Sequence, residues 1–469
     1  MKQDLIEEFK KIVGPAYAVT DQELIAPYLS EERGLFRGKT PLLLQPSSTA
    51  EISSIMCLAS STRTPIVPQG GNTGLVGAQL PDDSGRSVVL SMERLNKIRC
   101  INLEGNFAVV EAGVILRTLQ KKVDEVGGFF PLSLGSEGSC QIGGNLSSNA
   151  GGTAVLAYGN MRELCLGLEV VLPDGRILDD LRFTKKDNSG YDLKNLFIGS
   201  EGTLGVITSA VLKLFPRPKG RAVAFVGLRS PAKALKFLTL AQCQGGSLLT
   251  GFELMGKFSL QIALQYKMSA QSLFENEHEW YVLIDISSLR GDDEASSVLS
   301  TILETALKDT VIEDAIVAQS LKQQDFFWQL RENISPAQKL IGESIKHDIA
   351  VPVSAIPDFI AEAAFIVEDI APCARVVCFG HMGDGNLHYN VMPPTGADNT
   401  EFLQLWPQMN QRIHCLAVDY QGAFSAEHGI GQLKRQDLRT FKSPIALEVM
   451  QAIKKVFDPL GIMNPGKIL

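Results

Sequence analysis

Two histidines, His381 and His388, bracket a Gly-Asp-Gly-Asn turn in the stretch GHMGDGNLHYN (380–390), in a chain of 469 residues that holds six histidines in all. Imidazole nitrogen and carboxylate oxygen are the donors that zinc and similar metals accept, and catalytic metal sites keep a position open for substrate. Further along, SAEHGIG (425–431) sets Glu427 beside His428. His381, His388 and Glu427 would make a three-ligand set. On spacing alone the plainer account stands ahead: H-x6-H is no specific metal signature, and two histidines can simply share a hairpin. His278, in the charged run ENEHEW, is expected on the solvated surface, and His414, in a helical pattern, in a structural role.

A second group of residues could recognise an acid. FFWQLRENISPAQKLIGESIKHDIAVPV (326–353) carries Arg331, whose guanidinium offers a bidentate fork for a carboxylate, followed by Ser335 and Lys346. The ordinary reading of each cation is a helix-surface residue paired with a nearby acid.

Three glycine-rich segments form a third group: PQGGNTGLVG (68–77), IGGNLSSNAGG (142–152) and GSEGTLGVIT (199–208). Glycine lets the backbone approach a ligand closely, and successive N–H groups can cradle a phosphate. Neither familiar nucleotide motif fits. Gly71, Gly74 and Gly77 do not make GxGxxG, and GIMNPGK (461–467) is followed by Ile468 where a P-loop needs Ser or Thr. The pattern is that of a dinucleotide site built without either motif.

The elements that must position these groups read as follows. Residues 40–217 alternate short β-type runs with helical patterns at 50–60 and 115–126, and LEVVLPDGRIL contains a Pro-Asp-Gly hairpin signal. The prolines and basic cluster of LKLFPRPKGRAV (212–223) mark a boundary. Beyond it, helices alternate with strands such as YVLIDIS and RVVCFG, and from about 406 the pattern is mainly helical. The expected organisation is α+β, in segments 1–217, 218–405 and 406–469. A length of 469 residues calls for more than one core. Apolar residues make up 45% and charged residues 20%, an ordinary globular balance, and the net charge of −8 speaks against nucleic acid and anionic membrane surfaces. No apolar run is long enough to span a bilayer, and the N-terminus lacks signal- or transit-peptide character. The expected location is the cytosol, or the mitochondrial matrix after processing. None of the eight cysteines forms a CxxC pair, which gives no support to an iron–sulfur or cysteine-zinc site.

The three glycine segments, in this order and spacing, resemble the FAD domain of the vanillyl-alcohol oxidase type flavoproteins (PCMH type), in the subgroup of D-2-hydroxyacid dehydrogenases. The resemblance covers nearly the whole chain. It implies a two-subdomain FAD-binding domain (1–217), an α+β substrate or cap domain (218–405) and a C-terminal helical segment that returns to the FAD site (406–469). By it, Gly70, Gly71, Asn72, Thr73 and Gly74 cradle the pyrophosphate. Ser139, Gly143, Gly144, Ser148, Asn149 and Gly151 line the flavin, and Gly202 and Ile207 lie on the adenine side. Gln69, Gly135 and Asn464 complete the cofactor set. The first loop has no histidine, so the FAD is expected to be non-covalent.

GHMGDGNLHYN and SAEHGIG resemble the metal-binding segments of D-2-hydroxyglutarate and D-lactate dehydrogenases. This implies His381, His388 and Glu427 as ligands of a divalent metal, zinc first with manganese or iron as alternatives, and His428 as the base. The segment from Arg331 to Lys346 resembles the acid-binding segment of 2-hydroxyglutarate dehydrogenases, with Ser335 where threonine is usual. Asn390 would contact the substrate's C1 end. The implied reaction is oxidation of a D-2-hydroxy acid to the keto acid with hydride transfer to FAD, on D-2-hydroxyglutarate first and D-malate second. Electrons would pass to an electron-transfer flavoprotein or quinone, in a homodimer. A D-lactate dehydrogenase or glycolate-oxidase-type protein is the alternative within enzymes, and a flavin electron-transfer subunit without turnover the alternative outside them.

Overall fold

The computed structural model describes residues 2–267 and 273–469. The chain forms two compact units. The first comprises Met1–Gly151, Gly159–Pro216 and Glu427–Leu469, and the second Gly152–Tyr158 and Arg217–Ala426.

In the first unit, a four-stranded sheet runs in the order Ala18–Val19, Leu43–Leu44, Val88–Ser91, Ile66–Gln69. Its last three strands are parallel and apolar, as strands covered on both faces require. The helix Thr49–Thr62 packs on it through Ile52, Ile55, Met56 and Ala59, and is capped by Ser48, whose hydroxyl accepts the Glu51 N–H. A five-stranded antiparallel sheet follows, in the order Ile98–Asn102, Phe107–Glu111, Val206–Lys213, Cys165–Val171, Ile177–Asp180. Its outer pair is the hairpin at Pro-Asp-Gly, where Leu172 N–H donates to the Arg176 carbonyl. The end of the chain returns to the first sheet. Met463 bridges Ile66 in parallel, and Ile66 N–H donates to Ile462 O while Asn464 N–H donates to Ile66 O.

The second unit is built on one seven-stranded antiparallel sheet. Its strands are β1 (Gly220–Leu228), β2 (Leu249–Gly256), β3 (Trp280–Ser288), β4 (Asp314–Val317), β5 (Asp348–Ala350), β6 (Arg375–His381) and β7 (Asn386–Met392), in the order β4-β1-β3-β2-β6-β7-β5. One face packs against helices α1 (Pro231–Gly245), α3 (Asp292–Lys308), α5 (Ile356–Ile370) and α6 (Trp406–Asp419), through residues such as Phe237, Phe252, Ile284, Ile302, Phe359 and Ile413. The other face meets α2 (Lys257–Lys267) and α4 (Leu321–Ile341) through Phe225, Leu283, Phe327, Leu330, Ile334 and Phe379. With both faces covered, β3 reads as a nearly continuous apolar run rather than an alternating one.

His278 is a correction. It is buried, not solvated: the ring packs edge-on to Phe274 and Tyr281, and Nδ1 lies 3.0 Å from Glu313 Oε2. The acidic neighbours that suggested solvent point away, while the imidazole fills the space left by the missing side chain of Gly227. Among the described residues, no helix is long and apolar enough to cross a membrane.

Ile284, fully buried at the middle of β3, is the natural probe of this core. Ile284→Ala should cost about 2–5 kcal/mol in chemical denaturation; a loss under about 1 kcal/mol would show that the sheet does not carry the second unit.

Candidate active site

The histidine pair is set by the pleat of the second unit's sheet. β6 ends at His381, a tight turn follows, and β7 brings back His388 opposite Phe379. His381 and Phe379 are two apart on one strand, so they share a face, and His388 opposite Phe379 shares it too. The imidazole centroids are 6.2 Å apart. Gly385 holds the turn at φ +88°, and Gly383 leaves room for Leu156: a Cβ there would lie 2.6 Å from its Cδ1.

The same face gathers the other polar groups. Glu253 on β2 stands opposite His381, and Asp348 on β5 opposite His388. The β5–β7 register continues through Ile345 opposite Val391, which puts Lys346 opposite Asn390. Glu253 is fully buried. Its Oε1 accepts from His381 Nδ1 at 2.7 Å, and its Oε2 accepts from Arg331 Nε at 2.7 Å. Burial pushes this carboxyl up, but its hydrogen-bonded partners His381 and Arg331 outweigh burial and hold it below the usual range. Arg331 is itself buried, 4.7 Å over the ring of Phe379. Asn390 donates to Gln338 Oε1 at 2.9 Å and accepts from His347 N–H at 3.2 Å.

Of the acid-binding candidates, Arg331 and Ser335 sit one turn apart on α4, the first buried and the second exposed, while Lys346 is half-buried at the sheet edge. The chain later runs along β5, where Ala423 pairs with Ala350 and Ala426 N–H donates to the Asp348 carbonyl at 3.1 Å. Glu427 and His428 are the next two residues. Within the second unit, His381 and His388 each offer an imidazole nitrogen and Asp348 a carboxylate, spaced along neighbouring strands on one face of the sheet. This chemistry and spacing fit a divalent cation.

In the first unit, the glycine segments adjoin. A Cβ on Gly71 would run into the Ser139 carbonyl, and one on Gly202, at φ +71°, would lie 2.7 Å from Pro68 Cγ. Asn72 and Asn149 take positive φ, as asparagine tolerates. Gly143 packs on Ala112, while Gly135 and Gly144 have nothing within 4 Å of a Cβ position. Ser148 caps its own short helix by donating to Gly144 O, and Asn149 Oδ1 accepts the Arg162 N–H. Asn464 donates to both Ala78 O and Glu201 O, tying the residue that follows the first glycine segment to the third. Gln69 Oε1, Gln141 Oε1, Asn145 Nδ2 and Asn464 Oδ1 are buried without a hydrogen-bond partner among the described residues. Buried polar atoms are rarely left so; a polar cofactor laid along these loops would supply the missing partners. Gly70, Thr73, Gly74 and Ile207 lie in the same segments, with Gly151 closing the second. Sequence reasoning missed Gln141 and Asn145, although both flank the named glycines. It also missed Glu201, which accepts the N–H groups of Ile430 and Gly431 at 2.7 Å each and so fixes the loop that follows His428.

Two family models match: FAD binding domain over residues 40–180, and FAD linked oxidases, C-terminal domain, over residues 217–468. The chain belongs to the FAD-linked oxidases. It is an FAD-dependent oxidoreductase, in the group of the D-2-hydroxyacid dehydrogenases. A rice (Oryza sativa subsp. indica) protein named "Probable D-2-hydroxyglutarate dehydrogenase, mitochondrial" is 36% identical over 100% of this chain and 82% of its own length. Rat (Rattus norvegicus) D-2-hydroxyglutarate dehydrogenase, mitochondrial, is 36% identical over 97% of this chain and 83% of its own. The solved structure of p-cresol methylhydroxylase with substrate bound matches with a TM-score of 0.78 over 99% of this chain and 96% of its own, at 14% identity, a likeness of fold alone.

Gly71→Ala should force the first and second glycine segments apart, an overpacking cost of about 1–3 kcal/mol. The purified variant is expected to lose most of its flavin absorbance per polypeptide; full flavin content would place the cofactor elsewhere.

Proposed function

We propose that this protein oxidises a D-2-hydroxy dicarboxylate, D-2-hydroxyglutarate first and D-malate second, to the corresponding 2-keto acid. The observation that carries the reading is the match, along nearly the full chain, to D-2-hydroxyglutarate dehydrogenases. FAD, when bound, supplies the hydride acceptor. A divalent ion, when bound by His381, His388 and Glu427, supplies Lewis acidity at the substrate hydroxyl. The His, His, Glu donor set suits zinc, with manganese and iron as alternatives.

The chain's own residues then have distinct tasks. His428, next to Glu427, takes the hydroxyl proton, a general-base role worth roughly 10²–10⁴-fold. Arg331 spends its Nε on Glu253 and keeps its two terminal nitrogens for the distal carboxylate. Lys346 supplies the second charge, and Ser335, one turn beyond Arg331, a hydroxyl. Asn390 has a second amide hydrogen besides the one given to Gln338, and that is the donor for the C1 end. A monocarboxylate would forgo the charge-assisted hydrogen bonds that a distal carboxylate makes with Arg331 and Lys346. The four unpartnered polar atoms and adjoining glycine segments of the first unit support FAD held by these loops, and the lack of a histidine in the first loop supports attachment without a covalent bond. An electron-transfer flavoprotein or quinone would be the acceptor of the electrons that FAD, when bound, carries away from the substrate. Of the two locations the sequence suggests, the mitochondrial names of the relatives agree with the matrix, and nothing in them supports the cytosol.

Anaerobic addition of D-2-hydroxyglutarate should bleach the flavin band, with D-lactate much less effective; no bleaching by any hydroxy acid would make the protein an electron-transfer subunit. Lys346→Ala should raise KM for the dicarboxylate and leave D-lactate turnover little changed, and full dicarboxylate activity in that variant would sink the distal-carboxylate assignment. His381→Ala should shed metal and activity yet keep its FAD. His428→Ala should keep both cofactors while kcat falls roughly 10²–10⁴-fold.

A further inference from the structure

Glu253 enters the reading above only as the partner of Arg331 Nε, yet its position asks for more. It lies at the middle of β2, fully buried, with each carboxylate oxygen committed to a different partner. A buried ion pair is weak evidence for stability, since well-packed apolar residues of similar volume often do as well. A carboxylate serving only Arg331 would also have no need to divide itself. This one accepts from Arg331 Nε through Oε2 and from His381 Nδ1 through Oε1, both at 2.7 Å.

The two bonds have different consequences. A carboxylate accepts, so His381 must carry its proton on Nδ1, and the lone pair of Nε2 is left for a cation. Arg331 is gripped from the side, at Nε, with its plane laid over Phe379. Its terminal nitrogens take no part in that bond and remain as donors. Strand register leaves little freedom in this: Glu253 and His381 are directly opposed across β2 and β6.

We propose that Glu253 is a positioning residue that sets the tautomer of the metal-binding His381 and the orientation of the acid-binding Arg331 at once. It thereby couples metal affinity to hydroxy-acid affinity. The inference rests on the reading of His381 as a metal ligand. Outer carboxylates of this kind are generally worth 10–100-fold in metal affinity.

The test uses the flavin-loaded full chain. Zinc affinity is measured by chelator competition in wild type and Glu253→Gln, with flavin content and melting temperature followed alongside. The amide keeps the shape and one acceptor but loses the charge and one of the two acceptor contacts. The expected result is zinc binding 10–100-fold weaker in Glu253→Gln, flavin content retained, and a rise in KM for D-2-hydroxyglutarate. Equal zinc affinity in the two proteins would overturn this inference alone; a wild type that binds no zinc, manganese or iron would overturn it together with the metal reading. Should Glu253→Gln not fold, long-range ¹H–¹⁵N NMR of histidine-labelled wild type decides, with His381→Asn assigning the signal: an Nδ1–H tautomer supports the proposal, and an Nε2–H tautomer refutes it.

Discussion

The second unit's chemistry depends on strand register. His381 faces Glu253, His388 faces both Phe379 and Asp348, and Lys346 faces Asn390, because β2, β6, β7 and β5 lie side by side in one antiparallel alignment. Side chains alternate across a sheet with a period of two, so a slip of one residue on β6 or β7 would send its histidine into the opposite core. Several features guard against that slip. Cys378, Tyr389 and Val391 fill the face packed against α1, α3, α5 and α6 on the alternate positions, and Phe359 packs edge-on against Tyr389. Gly385 and Gly383 fix the length and path of the connecting turn. The apolar core on one face thus specifies the polar cluster on the other.

What was legible in the sequence had local signatures. The three glycine segments are loops in which backbone approach needs a missing Cβ, so their residues advertise themselves. The histidine segments straddle a turn or sit in adjacent positions, and their chemistry is rare in a chain with six histidines. The helices at Thr49–Thr62 and Leu116–Glu125, the strand Trp280–Ser288 and the Pro-Asp-Gly hairpin follow from periodicity and turn chemistry.

What was not legible depends on pairing between distant strands. Glu253 sits in GFELM, an unremarkable strand, and acquires meaning only because β2 lies beside β6, 128 residues later. Asp348 looks like one more acid until β5 aligns it with His388. Glu201 reads as part of a glycine loop, and nothing local says that its carboxylate will hold backbone 229 residues away. His278 fails in the other direction: its acidic neighbours suggest solvent, while Gly227, on β1, makes the space that buries it. Composition predicts exposure on average, and a single cavity overrides it.

The bridge between Ile66 and Met463 has a bearing on how the protein is made. During synthesis the strand Ile66–Gln69 emerges long before its outer partner, Ile462–Asn464, which lies several hundred residues further along the chain. Until then the sheet keeps a bare edge, the kind of surface on which strands of other chains can pair. The second unit, complete at Ala426, can settle while the first still waits. Asn464 also holds the Ala78 and Glu201 carbonyls, beside the first glycine segment and within the third, so a nascent polypeptide that has not yet reached Asn464 is the form most exposed to misassembly.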